Sequence, residues 1–392
     1  MEAQERGWAA PERWVCSDCV SDAHLKQLIN EAVESQECDY CGRTDEDDIA
    51  APVEVIMPSI MGALTHYFAE PAGAGVPYES AEGGYAIEPT DTQDALLSLP
   101  LECNDELFEE VADAISSQND AWVEAADGHW ASEQKNLELI HGWKRFAHHV
   151  KHRQRYFFSA APPEYGQDIE PSRLLPELGS VVSELKLISN VPSGSDLFRA
   201  RIRSSSDTWP LDADNLGAPP PKKAAAGRMN PPGISYLYLA LEYETALSEV
   251  FHGPPCSLAI GNFELQRQVR VLNLIDLPPR PSIYDHENLR LRELLIFLSA
   301  FVDAISSPVE KDGGEHIEYV PSQIVCEYFA SVFDLERPLD GILYPSAVRP
   351  GGRNLVLFPN FSNREPFPHI ALQGVEELNV ETWADLLTIM KN

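Results

Sequence analysis

Two groups of residues in this 392-residue chain have types and spacings that can do chemistry. The first is Cys16, Cys19, Cys38 and Cys41, two Cys-x-x-Cys pairs 18 residues apart. Two residues between thiolates let both sulfurs reach one ion from a knuckle turn, and the spacer lets the second pair close a tetrahedron. Gly42 follows the second pair, where a knuckle often needs a positive φ. The pattern predicts a structural zinc site, and four thiolates leave no open coordination position for catalysis. The second group lies in the C-terminal half. It runs through Gly227-Arg228-Met229-Asn230-Pro231-Pro232-Gly233, Tyr236 and Tyr238, then Glu244 and Glu249, with Arg199 upstream and Ser346 far downstream. A guanidinium on a rigid turn can fork onto a diphosphate, and a strand tyrosine offers a flat face for a base or nicotinamide ring. Glu249 stands beside the apolar Ala246, Leu247 and Val250, where a carboxylate needs a partner. Such a set suits holding a dinucleotide and breaking a glycosidic bond.

Each residue also has a plainer reading. The arginines could pair with nearby carboxylates, the tyrosines could be core, Glu249 could face solvent and Ser346 could simply make a turn. The order Arg, Tyr, Glu within about 20 residues is what favours a site. Arg199 and Arg201 are expected on opposite sides of their strand, with Arg199 towards the site, and Tyr238 is preferred to Tyr236. No Gly-x-Ser-x-Gly elbow surrounds Ser346, which argues against a hydrolase nucleophile.

These residues need elements to hold them. Residues 1–45 read as a zinc module whose spacer forms a short helix capped by Ser21 or Asp22. Residues 46–165 read as mainly helical, with helices over 57–68, from Asn104 or Asp105 onwards, and over 143–158. Residues 160–176 are proline-rich and read as a linker, and 166–190 as linker plus a short helix over 178–187. From residue 191 to 392 short strands (198–202, 236–240, 269–274, 341–344, 354–358) alternate with apolar helices (294–305, 321–333), which predicts an α+β domain.

The formal net charge is −33, and from Thr44 to Gln134 there are 21 Asp and Glu but no Lys or Arg. Such a surface repels phosphate backbones, so nucleic-acid binding through it is not expected. It reads as a solvated acidic face, or as a cover for a basic surface of the same or another protein. No N-terminal apolar run or membrane-length apolar stretch is visible, so the expected setting is the cytoplasm, with reduced thiols and no membrane contact. Cys103, Cys256 and Cys326 read as small buried residues.

The C-terminal order resembles the RES domain family, named for its arginine, glutamate and serine. The resemblance rests on Leu197-Phe-Arg-Ala-Arg201, Arg228-Met-Asn-Pro-Pro-Gly233, Tyr238-Leu-Ala240, Glu244-Thr-Ala-Leu-Ser-Glu-Val250 and Tyr344-Pro-Ser346, over residues 195–360. It implies a fold related to ADP-ribosyltransferase toxins, with NAD as substrate. The implied activity is toxin-like NAD depletion through cleavage of the nicotinamide–ribose bond, as a glycohydrolase or phosphorylase, or alternatively mono-ADP-ribosyl transfer to a macromolecule. By the same resemblance Glu249, Arg228 and Ser346 are catalytic; Arg199, Arg228, Tyr238, Glu249 and Ser346 bind NAD; and a separate antitoxin or inhibitor protein is a partner. Many members have tryptophan where this chain has Met229. The N-terminal half resembles the HEPN/RES N-terminal accessory region, through the paired cysteines and Val150-Lys-His-Arg-Gln-Arg-Tyr-Phe-Phe158. HEPN domains often carry Arg-x(4–6)-His as a ribonuclease motif, which Arg145 and His152 match.

Overall fold

The computed structural model describes residues 6–81, 83–158, 169–203, 209–309, 313–360 and 366–382. The chain divides into two compact units, Met1–Leu139 with Pro279–Phe297, and Ile140–Pro278 with Leu298–Asn392.

In the first unit, strand β1 (Trp14–Cys16) pairs antiparallel with β2 (Ala50–Pro52), and helix α1 (Ala23–Glu31) lies between them in sequence. Asp22 starts α1, its carboxylate accepting from the backbone N–H groups of His24 and Leu25, the side-chain cap that a helix N-terminus requires. Helix α2 (Met57–Tyr67) and α3 (Asp105–Ser116) follow, and Asn104 caps α3 in the same way. Leu25, Ile29, Ile60, Leu64, Val111 and Ile115 share one core. Arg13 answers part of the acidic stretch from inside this unit. Its Nη1 lies 2.6 Å from Glu106 and 2.7 Å from Glu110, with the guanidinium 4.2 Å from the Tyr40 ring centroid.

Helix α4 spans Lys135–His152, starting earlier and stopping sooner than the expected 143–158, and Tyr156 and Phe157 beyond it are exposed. Part of the expected linker, residues 160–168, lies outside the described residues. Its remainder is corrected: Pro171–Glu184 is helix α5. Pro171 occupies the first turn, where a missing N–H and a fixed φ favour a helix. Pro176 forfeits one interior hydrogen bond, but Leu174, Leu178, Val181 and Val182 bury a continuous stripe that outweighs it.

The second unit is built on an eight-stranded sheet. Its strands are β3 (Ile188–Val191), β4 (Asp196–Arg203), β5 (Leu237–Ala240), β6 (Cys256–Leu265), β7 (Val269–Asn273), β8 (Gly341–Pro345), β9 (Arg353–Leu357) and β10 (Ile370–Val380). The spatial order is β10-β6-β4-β5-β9-β8-β7-β3. All neighbours are antiparallel except β7 and β8. The architecture is therefore mixed α+β, as the alternation of strands and helices predicts. β6 and β10 are longer than any expected strand. Gly261-Asn262 and Gly374 interrupt their alternation, and the ladder between them slips register at Asn262/Phe263, so the period-2 signal breaks where a bulge sits. One sheet face packs Leu197, Leu237, Leu239, Leu355 and Leu357 together. The other packs Ala200, Ala240, Leu258 and Ile260 beneath Ala246 and Leu247 of helix α6 (Tyr243–Val250). Helices α7 (Leu289–Ser306) and α8 (Val320–Ser331) complete the described elements used below. No helix among the described residues is long and apolar enough to cross a membrane.

Candidate active site and metal centre

Among the described residues β4 and β5 meet at a single register pair, Phe198 opposite Ala240. A cleft with a volume of about 160 Å³ lies beside that pair, lined by Arg199, Tyr238, Glu249, Tyr344 and Asn354 among others. Antiparallel strands that stop pairing leave room for side chains to enter the sheet plane, and here the chemistry-bearing residues occupy that room.

Helix α6 brings Glu249 there and is pinned to β9 near both ends. Glu242, the residue before the helix, accepts from the Arg353 backbone N–H at 3.0 Å and its Nε at 2.5 Å, and from the Thr245 hydroxyl at 2.8 Å. Burial works against the Glu242 charge, yet these donors outweigh it and hold the carboxyl below its ordinary range. Two turns later, Glu249 Oε1 accepts from Asn354 Nδ2 at 2.6 Å and from the Ser346 hydroxyl at 2.8 Å. Its Oε2 has no hydrogen-bond partner among the described residues. The carboxylate is thus oriented by one oxygen and offers the other.

Ser346 is committed to this task. Its Oγ accepts from the backbone N–H groups of Val348 and Arg349 while donating to Glu249, so the hydroxyl proton is already in use. Glu244 turns elsewhere, with an oxygen 3.9 Å from Arg349 Nη2.

The turn carrying Arg228 is rigid for identifiable reasons. Asn230 is buried; its amide donates to the carbonyls of Ala225, Pro231 and Ile234, and its oxygen accepts from the Tyr238 hydroxyl at 2.7 Å. The same hydroxyl accepts from the Met229 backbone N–H at 3.0 Å. A Cβ at position 227 would lie 2.5 Å from Asn230 Oδ1 and 2.7 Å from the Tyr238 hydroxyl, so only glycine fits this approach. From α8, Ser322 donates to the Arg228 carbonyl and Gln323 to those of Gly227 and Asn230. Met229 is fully buried, with its sulfur 3.2 Å from Cys326 Sγ, and faces the core rather than a ligand.

Arg228 does not line the same cavity as Glu249. Its Nη1 donates to the Ile305 carbonyl at 2.8 Å, and its guanidinium sits 5.6 Å from the Tyr319 ring centroid in a second cavity of about 260 Å³. Tyr344 stands on the Glu249 side. It is buried, lines the Glu249 cleft, and feels Arg228 as well. Burial pushes its phenol well above the ordinary range, Tyr238 and Glu249 push the same way, and Arg228 opposes them.

Arg199 and Arg201 are two residues apart and so share one side of β4 in the pleat, contrary to the expectation that they point apart. Environment separates them instead. Arg201 is exposed, donates to the Asn215 carbonyl and lies 5.3 Å from the Trp209 ring centroid. Arg199 enters the cleft, and its Nη1 is buried without a hydrogen-bond partner. Burial depresses its pKa to about 10, with Arg201 adding to the effect and Tyr238 opposing it. Neither Arg199 nor Arg228 has a carboxylate partner among the described residues. The unpaired Arg199 charge destabilises the fold at neutral pH, because its folded pKa is lowered and the penalty is fully present below it. Arg199→Met keeps the volume and removes the charge. It is expected to raise stability by about 1–3 kcal/mol at most, seen as a higher melting temperature, while weakening anion binding. A thermal melt with and without ligand reads both effects.

Tyr344 and Asn354 are the site residues that sequence reasoning passed over. They face one another across β8 and β9, Tyr344 opposite Asn354, and a buried polar residue on an apolar strand was the available signal. Tyr236 is buried against Phe358, away from the cleft. Arg145 and His152 lie two turns apart on α4, about 10 Å along its axis. Arg145 Nη2 donates to the Ile169 carbonyl.

In the first unit the four cysteines come together. The Sγ atoms of Cys16 and Cys19 are 3.7 Å apart, those of Cys16 and Cys41 3.5 Å, and those of Cys19 and Cys38 3.7 Å. All four lie within 4.8 Å of one another, so the cluster could hold a metal ion. A tetrahedron with metal–sulfur distances of about 2.3 Å has edges of about 3.8 Å, so the spacing fits zinc. Burial raises the Cys38 thiol, but the backbone N–H groups of Cys41, Tyr40 and Cys16 outweigh it and bring the pKa to about 7, which suits a thiolate ligand. Gly42 has a φ of 68°, the left-handed turn expected after the second knuckle.

The family model of the RES domain matches residues 196–373, and that of the HEPN/RES N-terminal domain 1 matches residues 31–164. The chain thus combines a HEPN/RES N-terminal domain with a C-terminal RES domain. No curated protein matches it. The RES domain supports an NAD-related, toxin-like function in general and an enzyme acting on NAD at that level.

Proposed function

We propose that the RES domain cleaves the nicotinamide–ribose bond of NAD. The observation that carries this reading is Glu249, with one carboxylate oxygen fixed by Ser346 and Asn354 and the other open to the cleft. Breaking the bond leaves positive charge on the ribose, close to an oxocarbenium ion. A placed carboxylate that also accepts from ribose hydroxyls stabilises that charge as it develops. Arg199, with an unpartnered nitrogen at the cleft, holds the near phosphate, and Arg228 in the second cavity holds the far one. The Tyr238 ring lines the cleft as a face for nicotinamide, while its hydroxyl keeps the Arg228 turn in place. Ser346 is a positioning residue for Glu249.

The acceptor determines the product: water gives hydrolysis, phosphate gives phosphorolysis, and a macromolecular nucleophile gives ADP-ribosylation. Incubating the protein with NAD and following free nicotinamide, with and without phosphate and with a cell extract as macromolecular acceptor, tests the reading. Nicotinamide release is expected in at least one arm, and its absence in all of them defeats the proposal. We assign the Cys16, Cys19, Cys38 and Cys41 cluster to one structural zinc ion, which would tie β1 to the second knuckle.

A further inference from the structure

The Glu249 cleft, at about 160 Å³, is too small for a whole dinucleotide, since pockets that enclose drug-sized ligands run from about 300 to 1,000 Å³. A second cavity of about 260 Å³ holds Arg228, one residue from Met229, whose N–H bonds to Tyr238 of the cleft lining; a ligand filling both would occupy a volume within that range. The lining of this second cavity is specific in kind. Trp143 and Lys151 come from α4, Arg228 from the 227–233 turn, Tyr319 and Ser322 from the start of α8, and Glu318 from just before it. Two aromatic side chains and two cations around one space suit a purine with attached phosphates, because rings stack on base faces and cations take the anionic groups.

The order of the groups also fits. Arg228 lies next to Met229, whose N–H is bonded to Tyr238, and its charge reaches Tyr344; both tyrosines line the Glu249 cleft. A diphosphate leaving the cleft would meet Arg228 first and bring the adenosine beyond it towards Trp143 and Lys151. Lys151 is paired with Glu318 at 2.8 Å on a partly open surface, an interaction that a phosphate could displace. Trp143 is braced edge-on by Phe301 at 4.9 Å and stacked on Phe146 at 5.8 Å, so its orientation is set before any ligand arrives.

We infer that the cavity formed by Trp143, Lys151, Arg228 and Tyr319 is the binding site for the adenosine-phosphate half of the substrate. This rests on the NAD reading above and extends it, because it gives α4, which lies wholly in the stretch matched by the HEPN/RES N-terminal domain, a direct role in substrate selection. The site should distinguish NAD from nicotinamide mononucleotide, which carries the same scissile bond without the adenosine half.

The test is equilibrium binding of ADP, which contains no scissile bond, to the full chain and to Lys151→Ala, Trp143→Ala, Trp143→Phe and Glu249→Gln, alongside NAD turnover. Lys151→Ala and Trp143→Ala are each expected to weaken ADP binding about tenfold or more, as loss of one stacking or charged contact should. Trp143→Phe should recover most of the loss, and Glu249→Gln should bind ADP as wild type does. With NAD as substrate the same two variants should raise KM with little change in kcat, and turnover of nicotinamide mononucleotide should not change. Lys151 is at the surface, so its variant stays informative if Trp143→Ala fails to fold. Unchanged ADP affinity in Lys151→Ala and Trp143→Ala, or in Lys151→Ala alone where Trp143→Ala fails to fold, with NAD still consumed, overturns this assignment and leaves the reaction standing. The expected ADP pattern without any nicotinamide release overturns the reaction and leaves the site standing.

Discussion

Glu249→Gln is expected to lower nicotinamide release from NAD by about 10²- to 10³-fold, the usual effect of removing one placed electrostatic group from a site where charge develops, with almost no change in melting temperature. The geometry makes the substitution informative. Asn354 Nδ2 and the Ser346 hydroxyl both donate to Oε1, so the glutamine carbonyl oxygen can take that place and keep both hydrogen bonds. The amide nitrogen then replaces the free Oε2, and the change is confined to one charge. The loss should appear in kcat and kcat/KM together, since the interaction belongs to the transition state. Ser346→Ala should cost less, about tenfold, because Asn354 still holds Oε1 and one hydrogen bond to a charged group is worth from about 1.5 kcal/mol. Equal release by Glu249→Gln and wild type would remove the carboxylate from the mechanism.

The second large effect concerns the cysteine cluster. One zinc ion per chain is expected by elemental analysis, and a strong chelator or Cys38→Ser is expected to abolish the cooperative melting of the first unit. Apparent binding energies of structural zinc in small domains are about 10–16 kcal/mol, comparable with the whole stability of an ordinary domain. Cys16 ends β1 and Cys19 ends the turn that follows, and both are buried in the same core as Leu25 and Ile29. Loosening the sulfurs would therefore open that core. Zinc affinity should also fall as pH falls, since each ligand must lose a proton to bind. Burial raises the Cys16 thiol to about 11 and the Cys19 thiol further, so metal binding near neutral pH should release protons measurable by calorimetry in buffers of different ionisation heat. A metal-free chain whose melting ignores chelator would rule the assignment out.

Much of this protein is legible before folding because local rules decide it. The knuckle spacing of Cys16, Cys19, Cys38 and Cys41 depends only on how far two residues reach, and the structure brings all four sulfurs together. Asp22 and Asn104 cap their helices through hydrogen bonds two and three residues away. The rigid 227–233 turn follows from its glycines and prolines and from Asn230, all close in sequence. Where longer-range pairing decides, the local signal weakens. β6 and β10 were hidden by glycines and a bulge that only a paired neighbour stabilises, and α5 was hidden by prolines whose cost is offset by a buried face.

The residue types needed for chemistry were therefore determined by the sequence alone: Arg199, Arg228, Tyr238, Glu249 and Ser346 are readable as candidates from order and composition. Which of them share a space was decided by the tertiary structure. The divergence of β4 from β5 opens the cleft, the pairing of β8 with β9 sets Tyr344 opposite Asn354, and Asn354 then fixes Glu249 from more than a hundred residues away. It also separated Arg228 from Glu249 into two cavities. The physical reason is that a side chain's local preferences are set by its neighbours along the chain, whereas its hydrogen-bond partners and exposure depend on contacts whose order emerges only when the sheet closes.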